Sequence, residues 1–306
     1  MDWKGVMSAI TTSFDNTGGV DHRFLAAHCR WLLTNGCSGI VALGSLGEGA
    51  TLAYPEKIAV LETCVGAAGG RAPVVAAIAG LATDETVRLA KAAQDIGCDG
   101  LMVLPPYVYR GSWDEMKAHV AAIFRATPLS CMLYNNPVAY GTDLLPNQIA
   151  ELAAEHENLD AVKESSADVR RVSALRALLQ DRLKILVGVD DAIVEGIAAG
   201  AVGWIAGLAN AMPRESVCLF HLANAGERRK AFEIYRWFLP LLRMDTVPKF
   251  VQLIKLAQEE CGVGSARVRA PRLELTGEEK IQALGTIRTA LKSRPEGIGS
   301  IGRPER

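Results

Sequence analysis

The sequence has no excess of either charge and no long hydrophobic run. Its 33 basic and 34 acidic side chains give a formal net charge of −1, so no long-range field gathers nucleic acid or an anionic membrane. No apolar stretch reaches the roughly 18 residues of a membrane-spanning helix, and residues 1–8 lack the apolar core of a secretory signal. These absences predict a cytoplasmic protein whose partner is a small molecule.

Paired thiols and paired metal ligands are also missing. The seven cysteines include no CxxC pair, and the five histidines show no HxxxH or HxH spacing. Scattered cysteines in apolar segments are expected to be reduced core residues, and histidines without ligand spacing do not indicate a metal centre. The sequence therefore predicts neither a disulfide framework nor a metal site.

What the sequence does contain is a regular alternation of short apolar segments with longer segments of helical periodicity. Several short segments are apolar at consecutive positions, as strands buried on both faces are, and their alternation with helices indicates a parallel sheet. Eight strands are predicted, over residues 5–10, 39–43, 74–78, 100–104, 130–134, 161–163, 185–189 and 203–206. Eight βα units predict a closed (β/α)8 TIM barrel.

Helical periodicity lies between the strands and then continues alone. The helices predicted between strands include residues 23–34, 55–68, 85–95, 114–125, 168–179 and 192–199. After the eighth strand, residues 214–225, 227–243, 248–260 and 278–291 read as consecutive helices. We predict a barrel over residues 1–210, a helical extension packed on it over residues 211–295, and a flexible tail over residues 296–306.

Lys163 ends the sixth predicted strand, and active sites of α/β barrels lie at the strands' C-terminal ends. An ammonium removed from water there has a lowered pKa, and the resulting neutral amine attacks a carbonyl or an imine. The same position also fits a lysine that pairs with Glu164 or extends outward to solvent. Position alone leaves both interpretations open.

Two other strand ends carry polar groups. Tyr134 follows the apolar run of the fifth strand, either as a proton shuttle or as a packed aromatic residue. Gly188 follows the seventh strand as a candidate edge of the pocket, and Asp190 and Asp191 beyond it are expected to cap the next helix.

The loop over residues 44–49, Gly-Ser-Leu-Gly-Glu-Gly, follows the second strand. Its glycines allow a tight turn that presents the backbone amides of Ser45 and Leu46 to a carboxylate. The loop lacks the lysine and the spacing of a P-loop, so a phosphate-binding role is disfavoured.

Together these segments resemble the dihydrodipicolinate synthase/N-acetylneuraminate lyase family from about residue 3 to about residue 291. The resemblance rests on Gly-Ser-Leu-Gly-Glu at 44–48, Tyr-Asn-Asn-Pro at 134–137, Lys-Glu at 163–164, and Gly-Trp-Ile-Ala-Gly-Leu-Ala-Asn at 203–210. It implies a class I Schiff-base enzyme that acts on pyruvate, other 2-oxo acids or cyclic imines.

The resemblance also implies roles for particular residues. Lys163 would form the Schiff base, and Tyr134 would relay protons. The implied substrate-binding residues are Ser45, Leu46, Gly188 and Ile205. It further implies a homotetramer that works without a metal or an organic cofactor.

The chain departs from the synthase pattern at three positions. Synthases carry an arginine two residues after the proline of the Tyr-Asn-x-Pro motif, where this chain has Ala139. They also carry a threonine and a second tyrosine that complete a proton relay, where this chain has Leu46 and Val108. Neither side chain passes a proton, so the relay is lost unless another phenol substitutes. The candidates are Tyr107, Tyr109 and Tyr140.

Residues 134–140, 188–191 and 203–205, together with the C-terminal segments 237–245, 252–255 and 271–273, are most similar to the 1-pyrroline-4-hydroxy-2-carboxylate deaminase branch. This resemblance implies that Lys163 attacks C2 of the cyclic imine and opens the ring. Loss of the C3 proton then expels the 4-hydroxyl, and hydrolysis releases ammonia and 2-oxoglutarate semialdehyde in hydroxyproline catabolism.

Other reactions share the same first covalent step. A dihydrodipicolinate synthase-like aldolase, a 4-hydroxy-2-oxo acid aldolase and a sugar-acid dehydratase all begin with a lysine imine, and ammonia release separates them from the deaminase. A barrel that only senses a 2-oxo acid is a more distant alternative.

Overall fold

Eight parallel strands close into a barrel in this computed structural model, which describes residues 1–107 and 109–295. Each strand pairs with the next, and β1 closes the ring against β8. The strands are β1 Gly5–Ala9, β2 Gly39–Ala42, β3 Val74–Ile78, β4 Gly100–Val103, β5 Ser130–Asn135, β6 Leu159–Glu164, β7 Lys184–Val187 and β8 Gly203–Ala206. The predicted TIM barrel is confirmed. Val108 and the predicted tail lie outside the described residues.

The strands form in the apolar runs because both of their faces are covered. β2, β3, β4 and β8 are buried along their whole length, between the barrel interior and the surrounding helices. Parallel neighbours require a crossover connection, and the helices in those connections form the outer layer. The C-terminal ends of all eight strands therefore meet at one rim, where Lys163 and Tyr134 are found.

Among the described residues, eight α-helices follow the first seven strands. They are α1 His22–Thr34, α2 Tyr54–Ala68, α3 Thr83–Ile96, α4 Trp113–Arg125, α5 Pro137–Tyr140, α6 Pro146–Glu155, α7 Arg170–Leu179 and α8 Ile193–Ala198. The predicted helices include neither α5 nor α6. Both begin with a proline, which favours a helix start, but α5 spans only four residues and is too short to show a period.

In the part of the chain described after β8, up to residue 295, there are four α-helices. They are α9 Pro213–Asn224, α10 Arg228–Leu242, α11 Phe250–Glu260 and α12 Gly277–Lys292. α9 packs on β1 and α8, so it covers the barrel next to the closing strand pair. The division of the chain at residue 210 stays a prediction. No helix of the described residues is long and apolar enough to cross a membrane.

Candidate active site

Lys163 lies at the rim of the barrel, in register with Tyr134 of β5 and Leu186 of β7. Only 6% of the residue is exposed, and its Nζ lies 3.9 Å from the centroid of the Tyr134 ring. Within residues 1–107 and 109–295, no hydrogen bond or ion pair engages this Nζ. An ammonium buried in this way is costly, because it loses water without gaining an acceptor.

Glu164 does not pair with Lys163. Adjacent strand residues point to opposite faces, and the Glu164 carboxylate accepts hydrogen bonds from Asn135 Nδ2 at 3.2 Å and from the Ser166 amide at 2.7 Å. The interpretation of Lys163 as a lysine that pairs with Glu164 or extends to solvent is therefore wrong.

Burial lowers the pKa of Lys163 below its ordinary value, because desolvation penalises the ammonium. Asp245, Tyr140 and Asp190 act in the opposite direction, and desolvation is the larger effect. At a given pH, more of this side chain is therefore the neutral amine than in free lysine. A nucleophilic lysine requires this property.

Tyr134 is a proton-bearing group whose ring contacts Lys163. Its hydroxyl accepts a hydrogen bond from Asn136 Nδ2 at 2.9 Å. Burial raises the pKa of Tyr134 to about 12, although hydrogen bonds with Asn136 and Ser45 oppose the effect. The phenol therefore keeps its proton at neutral pH, and it can donate this proton to a neighbour and recover it.

Tyr140 is the phenol that joins this site. Its hydroxyl shares a hydrogen bond with Ser45 Oγ, and its ring stands edge-on to the Tyr134 ring with 6.0 Å between centroids. The Tyr107 ring lies behind it, 5.7 Å from Tyr140, whereas Tyr109 is exposed. Tyr140 is therefore the one of the three candidate phenols that shares a hydrogen bond with Ser45, and its part in a proton relay stays a prediction.

The loop over residues 44–49 is sharply bent. Leu43 and Glu48, on either side of Ser45 and Leu46, both have left-handed backbone conformations with φ of 65° and 53°, which non-glycine residues adopt only when the surroundings impose them. Among the described residues, no group accepts a hydrogen bond from the amides of Ser45 or Leu46. Both N–H groups can therefore bind an anion.

Gly188 lies directly beside Lys163. Its amide donates to the Glu164 carbonyl at 2.9 Å. A Cβ at this position would lie 2.5 Å from Lys163 Cε and 2.7 Å from Lys163 Cγ, closer than any real side chain comes. The Cβ would also lie 2.0 Å from Ser165 Oγ, so the position requires glycine because the side chains of Ser165 and Lys163 occupy the space.

Leu46 and Ile205 are buried and take part in the hydrophobic core. Ile205 belongs to β8, in register with Met7 of β1. Ala139 is exposed on α5, where its amide donates to Asn136 Oδ1 at 3.0 Å. Alanine offers no charge, so the position that carries arginine in synthases cannot hold a carboxylate here.

Asp190 does not cap α8, so the expected helix cap is wrong. Its carboxylate instead accepts hydrogen bonds from Trp204 Nε1 at 2.9 Å and from the amides of Gly207 at 3.1 Å and Leu208 at 2.8 Å. The chain turns sharply after β8, and this turn exposes amides that a buried carboxylate can satisfy. Asp190 therefore ties the ends of β7 and β8 together.

Asp245 is a site residue that the sequence does not predict. It ends the short 3-10 helix Arg243–Asp245 after α10, and its carboxylate fills the space that a side chain at Gly207 would need. Burial and the neighbouring Asp190 raise the pKa of Asp245 well above its ordinary value. The one signal in the sequence is its position in the segment 237–245 that resembles the deaminase branch.

Known proteins of one family are similar to this chain over nearly its whole length. The model of the dihydrodipicolinate synthetase family matches residues 2–290. The 4-hydroxy-tetrahydrodipicolinate synthase of Methanocaldococcus jannaschii is 32% identical over 278 residues, which cover 91% of this chain and 95% of that protein. The synthase of Agrobacterium fabrum is 33% identical over 269 residues, covering 88% and 92%.

A solved structure shows the same likeness. YagE, an Escherichia coli K12 prophage protein of the dihydrodipicolinic acid synthase family, was solved in complex with pyruvate. It matches with a TM-score of 0.90 at 27% identity, over 95% of this chain and 99% of that chain. The family model spans most of the sequence, and two relatives exceed 30% identity over most of their length. The chain belongs to the dihydrodipicolinate synthetase family.

Proposed function

We propose that the protein is a Schiff-base lyase that acts through Lys163 on 2-oxo acids or their cyclic imines. The observation that carries the proposal is the buried Lys163 Nζ, which lies against the Tyr134 ring without a hydrogen-bond partner among the described residues. Its neutral amine adds to C2 of the substrate, and loss of water from a 2-oxo acid, or of the ring nitrogen as an amine from a cyclic imine, leaves an iminium. Loss of a C3 proton then gives an enamine, which attacks an electrophile or expels a leaving group.

The surrounding groups support the same chemistry. Ser45 and Tyr140 share a hydrogen bond, and the Tyr140 ring stands edge-on to the Tyr134 ring, so these three hydroxyl-bearing residues would carry a proton to and from the reacting carbon. The amides of Ser45 and Leu46 suit the substrate carboxylate, because they point into a tight turn without another acceptor in the described chain. Gly188 and Ile205 would complete the edge of the pocket.

Within this class, we place an aldolase-type reaction first. The relatives named above are synthases, and one solved relative holds pyruvate. In such a reaction the enamine of pyruvate attacks the carbonyl carbon of an aldehyde, and the reverse reaction cleaves a 4-hydroxy-2-oxo acid. Because Ala139 carries no charge, the preferred aldehyde would lack the carboxylate that the synthase arginine binds.

Deamination of 1-pyrroline-4-hydroxy-2-carboxylate is the second candidate. It is favoured by the replacements Leu46 and Ala139, which remove synthase features, and by the similarity of residues 134–140 and 237–245 to the deaminase branch. The names of the relatives reported above do not mention a deaminase. A dehydratase for sugar acids would use the same enamine without releasing ammonia.

The test is covalent trapping with product analysis. The purified protein is incubated with pyruvate, and separately with the cyclic imine, then reduced with borohydride and mapped by peptide mass spectrometry. An adduct on Lys163 supports the class. Ammonia from the cyclic imine then identifies the deaminase, whereas consumption of an added aldehyde by pyruvate identifies the aldolase. An adduct with turnover of neither kind favours a dehydratase or a sensor, and no adduct on Lys163 with any 2-oxo acid refutes the proposal.

A homotetramer, a cytoplasmic location and the lack of a cofactor remain predictions that accompany this proposal. Analytical ultracentrifugation tests the assembly. Activity after exhaustive treatment with a chelator tests the independence from metal, because a Schiff-base reaction needs only the lysine and water.

A further inference from the structure

The loop that contains Ser45 and Leu46 is closed by hydrogen bonds that set the direction of its amides. The Gly44 carbonyl accepts from the Gly49 amide at 3.2 Å, and the Ser45 carbonyl accepts from the Glu48 amide at 3.1 Å. The C=O and N–H groups of a trans peptide point in opposite directions. Because both carbonyls face the end of the loop, the amides of Ser45 and Leu46, which belong to the same two peptides, face the opposite way.

Glu48 closes this loop in a backbone conformation that residues with a side chain rarely adopt. Its φ of 53° lies in the left-handed region, which is populated at such residues only when the surroundings impose it. A glycine would adopt the same conformation without strain. What a glutamate adds at this position is its carboxylate.

That carboxylate is anchored outside the loop at both of its oxygens. Oε1 of Glu48 accepts from Lys255 Nζ at 2.6 Å, and Oε2 accepts from the Arg269 amide at 3.0 Å. Arg272 Nη1 lies 3.7 Å from Oε2. The Glu48 side chain is completely buried, so water does not compete for these charge-assisted contacts. Glu48 therefore fixes the end of the loop against the C-terminal part of the chain.

The C-terminal segment that supplies these donors is itself held in place. Lys255 of α11 also donates to the Arg267 carbonyl at 2.7 Å. The Arg269 guanidinium pairs with Glu56 of α2 at 2.8 Å. Lys255 Nζ and the Arg269 guanidinium lie 4.4 Å and 4.6 Å from the centroid of the Phe14 ring. The anchor of the loop is thus a packed and hydrogen-bonded cluster.

We propose that Glu48 and Lys255 are positioning residues that make the site selective for a carboxylate. They act through the loop rather than on the substrate, by holding the amides of Ser45 and Leu46 ready for an anion. Donors that are fixed before binding lose no free energy to reorganisation when the anion arrives. The ligand class that this arrangement favours is the 2-oxo acid, over neutral ketones and 2-oxo amides. The inference rests on the proposed function, in which these amides bind the carboxylate and Lys163 forms the imine.

The test measures carboxylate selectivity as a ratio of two dissociation constants. Imine on Lys163 is trapped with borohydride over a range of concentrations of pyruvate or of pyruvamide, in which an uncharged amide replaces the carboxylate. The initial rate of trapping gives an apparent Kd for each compound. The Kd for pyruvamide divided by the Kd for pyruvate is the selectivity, and a change in the reactivity of Lys163 cancels in this ratio. Circular dichroism and thermal unfolding show whether each variant is folded.

Glu48→Gln keeps the size of the side chain but turns one of its two acceptors into a donor, so one anchor is lost. Lys255→Met, assayed at a temperature where it stays folded, removes the other. Each should lower the ratio by about tenfold or more, because pyruvate loses charge-assisted hydrogen bonds and pyruvamide loses only neutral ones.

Glu56→Gln is the matched control. Glu56 pairs with Arg269 of the same C-terminal segment, but it lies on α2 beyond the loop. Its substitution should leave the selectivity ratio at the wild-type value.

The ratios of the variants decide between a positioning role and a merely structural one. A lowered ratio in Glu48→Gln and Lys255→Met, with Glu56→Gln unchanged, supports the proposal. A folded Glu48→Gln with the wild-type ratio overturns it, and so does an equal rise of both dissociation constants. If Glu48→Gln does not fold, Glu48→Asp, which keeps the charge on a side chain one methylene shorter, is judged by the same ratio.

The wild-type protein separates failure of this inference from failure of the proposed function. A wild-type ratio near one, with an adduct on Lys163, overturns the carboxylate selectivity while the Schiff-base function stands. A wild-type protein that forms no adduct on Lys163 with either compound overturns both.

Discussion

Lys163 and Lys255 are both buried lysines of the same barrel, and burial lowers the pKa of each. Their surroundings differ. Lys255 is 2% exposed and donates to Glu48 Oε1 at 2.6 Å and to the Arg267 carbonyl at 2.7 Å, with the Phe14 ring 4.4 Å away. Lys163 has an aromatic ring at a similar distance, but no acceptor among the described residues.

The difference shows that burial alone does not indicate a nucleophile. Glu48 is completely buried, and its second oxygen accepts a hydrogen bond from the Arg269 amide at 3.0 Å. Lys255 therefore ties the loop that contains Ser45 to the C-terminal helices, and its proton is fully engaged. Lys163 has no such partner, so its ammonium loses a proton more easily than that of Lys255.

The largest expected effect is on catalysis. Lys163→Met should lose the trapped adduct and reduce kcat/KM on the order of 10⁴-fold or more, because no other group supplies the nucleophile. Lys255→Met, assayed at a temperature where it stays folded, should still form the adduct on Lys163. Mass spectrometry after borohydride reduction and steady-state kinetics measure both. An adduct that persists in Lys163→Met would place the nucleophile elsewhere.

The second prediction concerns stability, for which Lys255 should matter more than Lys163. Lys255→Met removes the ammonium at Glu48 Oε1 and leaves this buried carboxylate with only the Arg269 amide at 3.0 Å and Arg272 at 3.7 Å, both at Oε2, which should lower the free energy of unfolding by about 3 kcal/mol. The double variant Lys255→Met/Glu48→Gln removes the stranded charge and should recover part of the loss. Lys163→Met removes an ammonium that had no acceptor, so it should not lower the stability. Thermal and urea unfolding measure all three, and equal losses at the two lysines would contradict the distinction.

The hydroxyls next to Lys163 should matter in order of their distance from it. Tyr134→Phe keeps the ring under Nζ but removes the proton-bearing group, and we expect a loss in kcat of about 10²-fold. Tyr140→Phe removes only the far end of the relay, and we expect a smaller loss, of about tenfold. Tyr109→Phe is the matched control, because that phenol is exposed. Equal kcat values in Tyr140→Phe and Tyr109→Phe would exclude Tyr140 from the relay.

The smallest effect is a pH dependence. Because the folded-state pKa of Lys163 lies below its ordinary value of 10.5, the neutral amine accumulates at lower pH than in free lysine. The rate of imine formation should therefore rise with pH and level off before pH 10.5. Stopped-flow or quenched trapping from pH 6 upward measures the midpoint. A midpoint at or above 10.5 would show that Lys163 is solvated in solution.

Most of the barrel is predictable because most of its strands are short runs of apolar residues. The predicted and observed strand ends agree within two residues, even for β6, where the charged Asp160 and Lys163 interrupt the pattern. The helices α5 and α6 were harder to predict, because a single turn or a short helix after proline has too few residues to show a hydrophobic face. Periodicity predicts the C-terminal helices, but it does not predict that they lie beside the barrel rim.

The residues of the candidate site are predicted less completely than the barrel. The structure brings Lys163, Tyr134 and Gly188 together, as their positions at adjacent strand ends suggest, and their roles in catalysis stay predictions. Tyr140 was one of three open candidates, and only its hydrogen bond with Ser45 singles it out. The expected helix cap by Asp190 is wrong, because the groups that it binds are the Trp204 indole of β8 and the amides of Gly207 and Leu208 after it, which are distant in sequence.

The sequence by itself determined the barrel, the order of its strands and the reactive side chains at their ends, because these follow from short-range patterns of apolar residues and from motifs of a few residues. Only the tertiary structure decided which buried charges are paired. Lys255 finds Glu48 across 207 positions of the chain, and Asp245 reaches the rim through the space at Gly207. The electrostatic energy of a buried charge depends on its distance to every other charge and dipole, and those distances exist only once the chain has folded.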